Sequence, residues 1–256
     1  MRPTDDSGAG KGGQFMTTCW SAILLSAQSQ AVGSGDAREE LCQLYWYPLY
    51  AFIRRRGYNG DDAKDLTQGF FLFIFDHKAL QRATPTKGKF RSFLLGSLKN
   101  YLSNVYQYEN AIKRGGKIDF VSADFNDGED RYSREPTDAL TPDRIFDANC
   151  AIALLGQAFE RLKEEYSAQG KGIIFETLRP FLDVSGAVQA PSYEVASEKL
   201  KVSGPGVKTL IHRFRKRYSE ILREAVAQTV TDPTEIDDEI RSLCEALIAS
   251  EGRLRP

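Results

Sequence analysis

The stretch VSGPGVKTLIHRFRKRY (202–218) decides the fold. Ser203 is placed to cap a helix, and Pro205 suits its first turn. Val207, Ile211, Phe214 and Tyr218 then recur at spacings of four, three and four, the period of a helix with one buried face. Lys208, Thr209, His212, Arg213, Lys216 and Arg217 are thereby turned outward along one surface. Between positions 201 and 217 there are six Lys or Arg and no acid. A solvated helix face ordinarily mixes signs to gain pairs one turn apart, whereas this one repels itself until a polyanion neutralises it. Upstream, PSYEVASEKL (191–200) reads as a second helix, joined by KVS, with Val195, Ala196 and Leu200 facing the first and Ala196 small enough for a close crossing. Turn, cap and cations together predict a helix-turn-helix. Its second helix is expected to enter a major groove, N-terminal residues nearest the bases and later cations on phosphates.

Outward from that motif, helical periodicity dominates and strand-like alternation is almost absent, so the chain is expected to be all-α. A helix runs from about Asp36 to Gly57 through Pro48, with Arg54, Arg55 and Arg56 at its C-terminal end, where cations suit the helix dipole. The next begins near Asp61 or Asp62. Leu66, Phe70, Phe73 and Ile74 form its core stripe, and Leu72 and Phe75 extend apolar surface onto a second face beside Asp65 and Gln68. Such a helix is either sandwiched or offers a face to a partner. After a loop, QRATPTKGK (81–89), comes a helix whose core face is Phe90, Leu94, Leu98 and Leu102 with Phe93 and Tyr101, leaving Arg91, Lys99, Asn100 and Asn104 elsewhere. Residues 117–141 are polar, acidic and without helical period, and read as a linker. Helices resume at Thr141-Pro142 and at Ile173–Leu182. A last acidic helix follows DPTE (232–235), with Ile236, Ile240, Leu243 and Leu247 as its stripe. The expected organisation is a polar tail (1–14), a helical domain (15–116), the linker (117–141), a helix-turn-helix domain (142–231) and the acidic helix (232–256).

The totals of 34 basic and 35 acidic residues conceal segregation. From 78 to 117 nine Lys or Arg face one acid, Glu109; from 119 to 147 nine acids face Arg131, Arg134 and Arg144; from 232 to 251 seven acids face Arg241. Each basic zone is followed by an acidic one, and local fields act on local partners. The first basic zone, with Lys87, Lys89, Arg91, Lys99, Lys113 and Arg114, Asn100 and Asn104, and Tyr101, Tyr106 and Tyr108, combines cations, edge-reading amides and aromatics. That combination suits single-stranded or unstacked bases.

Other chemistries find little support. GAGKGG (8–13) lacks the preceding strand and the following Ser or Thr of a phosphate loop. Cys19, Cys42, Cys150 and Cys244, with His77 and His212, have no zinc or disulfide spacing, and reduced thiols are expected. No metal, cofactor or small-molecule substrate is expected, nor an enzyme, since no paired carboxylates or nucleophile–base spacing stands out. The longest apolar run, FFLFIF (70–75), is too short for a membrane, and no secretory h-region opens the sequence, so a cytoplasmic protein is expected.

Taken together, YWYPLYAFIRRRGY (45–58), DAKDLTQ (62–68), GKFRSFLLGSLKNYL (88–102) and GVKTLIHRFRKRYSEILREAVAQTV (206–230) resemble the extracytoplasmic-function type sigma factors of bacterial RNA polymerase, in the sigma-70 superfamily. TTCWSAIL (17–24) is also similar to the opening of one subgroup. The resemblance implies two helical domains. In the first, Asp65, Gln68 and the apolar face with Leu72 would grip the β′ clamp helices of core RNA polymerase. Lys87, Lys89, Arg91, Lys99, Asn100, Asn104, Lys113 and Arg114 would read and help open the promoter −10 element. In the second, Ser203, Lys208, Thr209, His212, Arg213, Lys216 and Arg217 would meet the −35 element, with the β-flap nearby, and the linker would thread toward the polymerase cleft. An anti-sigma factor is a further candidate partner. Gly69, Asn104 and Lys201 depart from the family's usual residues, Lys201 standing where a turn ordinarily takes Gly. The rival reading is a stand-alone helix-turn-helix regulator that never meets polymerase. It leaves the Leu72 face and the first basic zone unexplained. The acidic C-terminal helix either packs on its own domain or covers a basic surface and restrains DNA binding.

Overall fold

In the computed structural model the described residues are 34–75, 89–112, 128–133, 140–182 and 191–250. Their regular structure is helical, and their one extended pairing is an isolated bridge between Lys89 and Val230. The helices are α1 (Ser34–Arg55), α2 (Gly60–Phe75), α3 (Phe90–Ile112), α4 (Gly128–Ser133), α5 (Pro142–Ala168), α6 (Gly172–Leu178), α7 (Tyr193–Leu200), α8 (Gly204–Ala227) and α9 (Ile236–Ala249). The polar tail, the TTCWSAIL stretch (17–24), Lys87, Lys113, Arg114, Cys19 and His77 lie outside the described residues.

Local signals set the helix ends. α1 runs through Pro48 and stops at Arg55, where Gly57 at φ 96° turns the chain. The Asn59 side chain accepts from the Asp62 amide at 2.8 Å and so satisfies one orphan donor at the start of α2. Thr141 accepts from the Arg144 amide at 3.4 Å, with Pro142 opening α5. Asp232 caps a short 3-10 turn, Pro233–Glu235, and the α-helix proper begins only at Ile236, three residues later than DPTE suggests.

Apolar stripes assemble these helices around two large clusters, with a small third where Ala148 and Ile152 of α5 meet Ala246 and Leu247 of α9. The first joins Leu41, Tyr45, Leu49, Phe52 and Ile53 of α1 to Phe70, Phe71 and Ile74 of α2 and to Phe90, Leu94, Leu98 and Leu102 of α3. Phe146, Cys150, Ala151 and Leu154 of α5, Ala225 and Val226 of α8, and Leu243 of α9 belong to the same cluster. The second joins Ala158 and Leu162 of α5 to Phe175, Leu178, Phe181, Ala196, Val207, Ile211, Phe214 and Ile221. α5 has 27 residues; at about 1.5 Å each it is long enough to place its first half in one core and its second half in the other. Among the described residues the two cores meet inside α5, which contributes side chains to both.

Three expectations are corrected here. Residues 128–133, read as non-helical linker, form α4 and dock on α1. Glu129 accepts from Arg54 Nε and Nη2 at 2.9 and 2.6 Å and from the Tyr50 hydroxyl, and Arg131 lies 3.9 Å over the Tyr47 ring. Gly128 meets Trp46 so closely that an added Cβ would sit 2.7 Å from the indole, so only glycine fits. On α2, Phe71 rather than Phe73 joins the core; Phe73 is 39% exposed and rests against Tyr101 at 5.4 Å between ring centroids. On α7, Val195 is exposed, and Ala196 makes the crossing with α8.

No helix among the described residues is long and apolar enough to cross a membrane. No group of three or more His, Cys, Asp or Glu among them is placed to hold a metal, and Cys42, Cys150 and Cys244 are free thiols.

Candidate nucleic-acid interface

The helix-turn-helix is built from both ends of its turn. Ser192 caps α7 by accepting from the Val195 amide at 3.3 Å, and Ser203 caps α8 by accepting from the Gly206 amide at 3.4 Å. Between them Lys201 adopts φ 53°, ψ 43°, the left-handed conformation that ends α7, and donates its amide to Glu198 O at 3.3 Å. Val207, Ile211 and Phe214 are buried, and Tyr166 and Phe175 meet Phe214 edge-on at 5.2 and 5.8 Å. Tyr218 completes the stripe. Its hydroxyl donates to Leu155 O at 3.1 Å, and burial pushes its pKa up to about 12. With that face fixed, Lys208, Thr209, His212, Arg213 and Lys216 are exposed, as periodicity predicts.

Two of the six cations are differently employed. Arg215 donates from Nε and Nη2 to Phe181 O at 3.0 and 2.7 Å, tying α8 to the turn after α6. Arg217, expected on phosphate, is held by Glu165 of α5 through Nε and Nη2 at 2.8 and 2.6 Å, with Glu220 and Glu224 at 3.3 and 3.4 Å. The hydrogen bonds from Arg217 hold the Glu165 carboxyl below the usual range against the opposing effect of burial. Arg217 thus orients α8 instead of extending its outward face. The exposed cationic surface is Lys208, Arg213 and Lys216, with Thr209 and His212 between them, and Lys216 lies 3.9 Å from Glu220. Lys208 Nζ lies 5.8 Å from the Tyr193 ring, itself stacked on Phe181.

The first basic zone presents a different picture. Asn100 and Asn104 are exposed on α3, as is Tyr106 at 63%. Each described cation of the zone on or beside α3 is instead matched by a carboxylate from beyond residue 140. Lys89 Nζ lies 3.1 Å from Glu239. Arg91 donates to Glu239 from Nε at 2.6 Å and Nη2 at 3.2 Å, to Ser242 Oγ at 2.8 Å, and to Asp147 from Nη1. Lys99 pairs with Asp143. Arg91, expected to face outward, is 5% exposed and Glu239 1%. Burial by itself would lower the Arg91 pKa, but the hydrogen bonds and charges of Glu239 and Asp147 outweigh it, and the net shift is upward. Nothing in the local sequence around Glu239, Asp147 or Asp143 marks them as partners of α3. The signal that could have found them is the order of the charge zones, since acids that follow a basic zone are available to fold back on it.

The expected polymerase-facing residues lie on α2. Asp65 is exposed, Gln68 half-buried, and Leu72, two turns from Asp65 on the same side, is 63% exposed. Phe73 adjoins it, and Gly69 between them is buried. Leu72, with the partly exposed Phe73 next to it, is the largest apolar surface that α2 leaves uncovered among the described residues.

Neither a protein-family model, nor a curated protein, nor a solved structure matches the chain.

Proposed function

We propose that the chain is a promoter-recognition subunit, a sigma factor of the extracytoplasmic-function type, which joins core RNA polymerase and directs it to duplex promoters. The observation that carries this reading is the exposed Leu72–Phe73 face beside Asp65 on α2, in a chain that also presents a helix-turn-helix with an open cationic face. A DNA-binding regulator needs only the second feature. An apolar patch rimmed by acid and amide fits docking on a partner's helices, and in this reading the partner is the β′ clamp of polymerase. Lys208, Thr209 and His212, nearest the N-terminus of α8, would reach base edges, and Arg213 and Lys216 would lie on phosphates. Ser203 would contribute as the cap that fixes where α8 begins. Asn100, Asn104 and Tyr106 on α3 offer amide edges and an aromatic ring to unstacked bases.

The test is transcription from DNA the chain itself selects. Duplex fragments retained by the purified protein are offered to core polymerase with and without it. The expected result is discrete transcripts only when the protein is present, lost in Asp65→Ala/Leu72→Ala. Selective DNA retention without any transcript would instead identify a stand-alone regulator.

A further inference from the structure

The cations at the start of α3 are occupied from within the molecule. The Glu239 carboxylate sits between Arg91, which donates to both of its oxygens at 2.6 and 3.2 Å, and Lys89 at 3.1 Å, with Ser242 and Asp147 completing the Arg91 shell. An anion held by a guanidinium fork, an ammonium and a nearby hydroxyl is the arrangement that also receives a phosphate. The same corner is fastened by backbone, because the Phe90 amide donates to Thr229 O at 2.9 Å beside the Lys89–Val230 bridge. α9 is also packed in place, with Leu243 buried, Ile236, Ile240 and Leu247 against the first cluster and Asp237 paired with Arg223 of α8, while Ile248 at its far end is 75% exposed.

We infer that α9 is an autoinhibitory clasp, in which the Glu239 carboxylate fills in cis a phosphate-binding site made by Lys89 and Arg91, and that single-stranded nucleic acid competes with it for those cations. The inference rests on the proposed function only in assigning the α3 face to unstacked DNA. It adds that the cations at the start of this face, Lys89 and Arg91, are covered in the free chain while the outward side of α8 is exposed. Duplex binding through α8 is then independent of the clasp, and single-strand binding through α3 is limited by it. The competition is reciprocal: whatever displaces α9 strengthens single-strand binding, and a bound strand loosens α9.

The experiment uses the full chain and two probes, a labelled mixed-sequence single-stranded oligonucleotide and a labelled duplex, followed by anisotropy across a salt series. Glu239→Gln keeps the shape of the side chain and removes its charge. It is expected to tighten single-strand binding by about tenfold and to steepen the salt slope by about 1.4, for two cations at roughly 0.7 each, while duplex binding stays unchanged. Adding Lys89→Gln and Arg91→Gln to that variant should abolish the gain. In the wild type, needing no substitution, amide hydrogen exchange across 236–249 should quicken when the single strand saturates the protein. Unchanged single-strand affinity in Glu239→Gln, or a strand that binds without loosening α9, would overturn the clasp and leave a structural staple. Failure of both forms to bind the duplex would instead count against the proposed function, so the two failures are told apart.

Discussion

Lys201 carries the one positive φ among the described non-glycine residues, at 53°. A side chain in that region costs roughly 1–2 kcal/mol, and glycine relieves it at the expense of a floppier unfolded chain. Lys201→Gly is therefore expected to raise stability by about 0.5–1 kcal/mol, read as a shift in denaturant midpoint without a change in slope. In the opposite direction, Phe214 is fully buried among Tyr166 and Phe175, and Phe214→Ala should cost about 3–5 kcal/mol. Single residues were legible to different degrees. Ser203, Val207, Ile211 and Phe214 could be placed from spacing alone, because a helix period and a cap are local properties. Arg91 could not. Its position after Phe90 makes it look outward on a lone helix, and only the arrival of α5 and α9, 56 and 148 residues away along the chain, buries it. Phe71 and Phe73 were exchanged for a related reason: in FFLFIF every position is apolar, so periodicity has no contrast to read.

At the scale of elements, α8 combines two duties on one helix. Its outward cations are open, and its Arg217 holds Glu165 of α5. The folded Glu165 carboxyl titrates below its unfolded value, so the contact contributes stability above the usual glutamate range and loses it as pH falls through the folded value. Acid unfolding of the wild type should consequently be steeper in that window than that of Arg217→Gln, followed by circular dichroism across a pH series; parallel curves would show the pair to be inert. The open face makes a separate prediction. Replacing Lys208, Arg213 and Lys216 by Ala should reduce the salt slope of duplex binding by about 2.7, for three phosphate contacts at about 0.9 each, with the fold intact because all three are exposed. Elements were the most legible scale in the sequence, since α5, α7 and α8 announce themselves by caps, prolines and stripes. α4 was the exception. Its six residues are too few for any period to show, and it is held in place by Glu129 and Gly128 meeting Arg54, Tyr50 and Trp46.

Over the whole molecule, the alternation of charge zones along the chain becomes a pairing of surfaces. The acids after residue 140 meet the cations of the first basic zone at Lys89–Glu239, Arg91–Asp147 and Lys99–Asp143, while most of the second basic zone stays open on α8. The sequence displayed the zones but not which would close on which, because that choice depends on α5 joining both cores and carrying α9 back over the start of α3. The molecule thus has one cationic face free, one covered, and one apolar face, at Leu72 and Phe73, without cover from the described residues around it. Each is accounted for if the chain works as part of a larger polymerase that supplies both a helix-binding partner and opened DNA. The most direct test of that account is retention of core RNA polymerase by the immobilised protein, compared between wild type and Asp65→Ala/Leu72→Ala. Retention by the wild type and loss in the variant is the predicted result; a wild-type chain that binds duplex DNA yet retains no polymerase would contradict it.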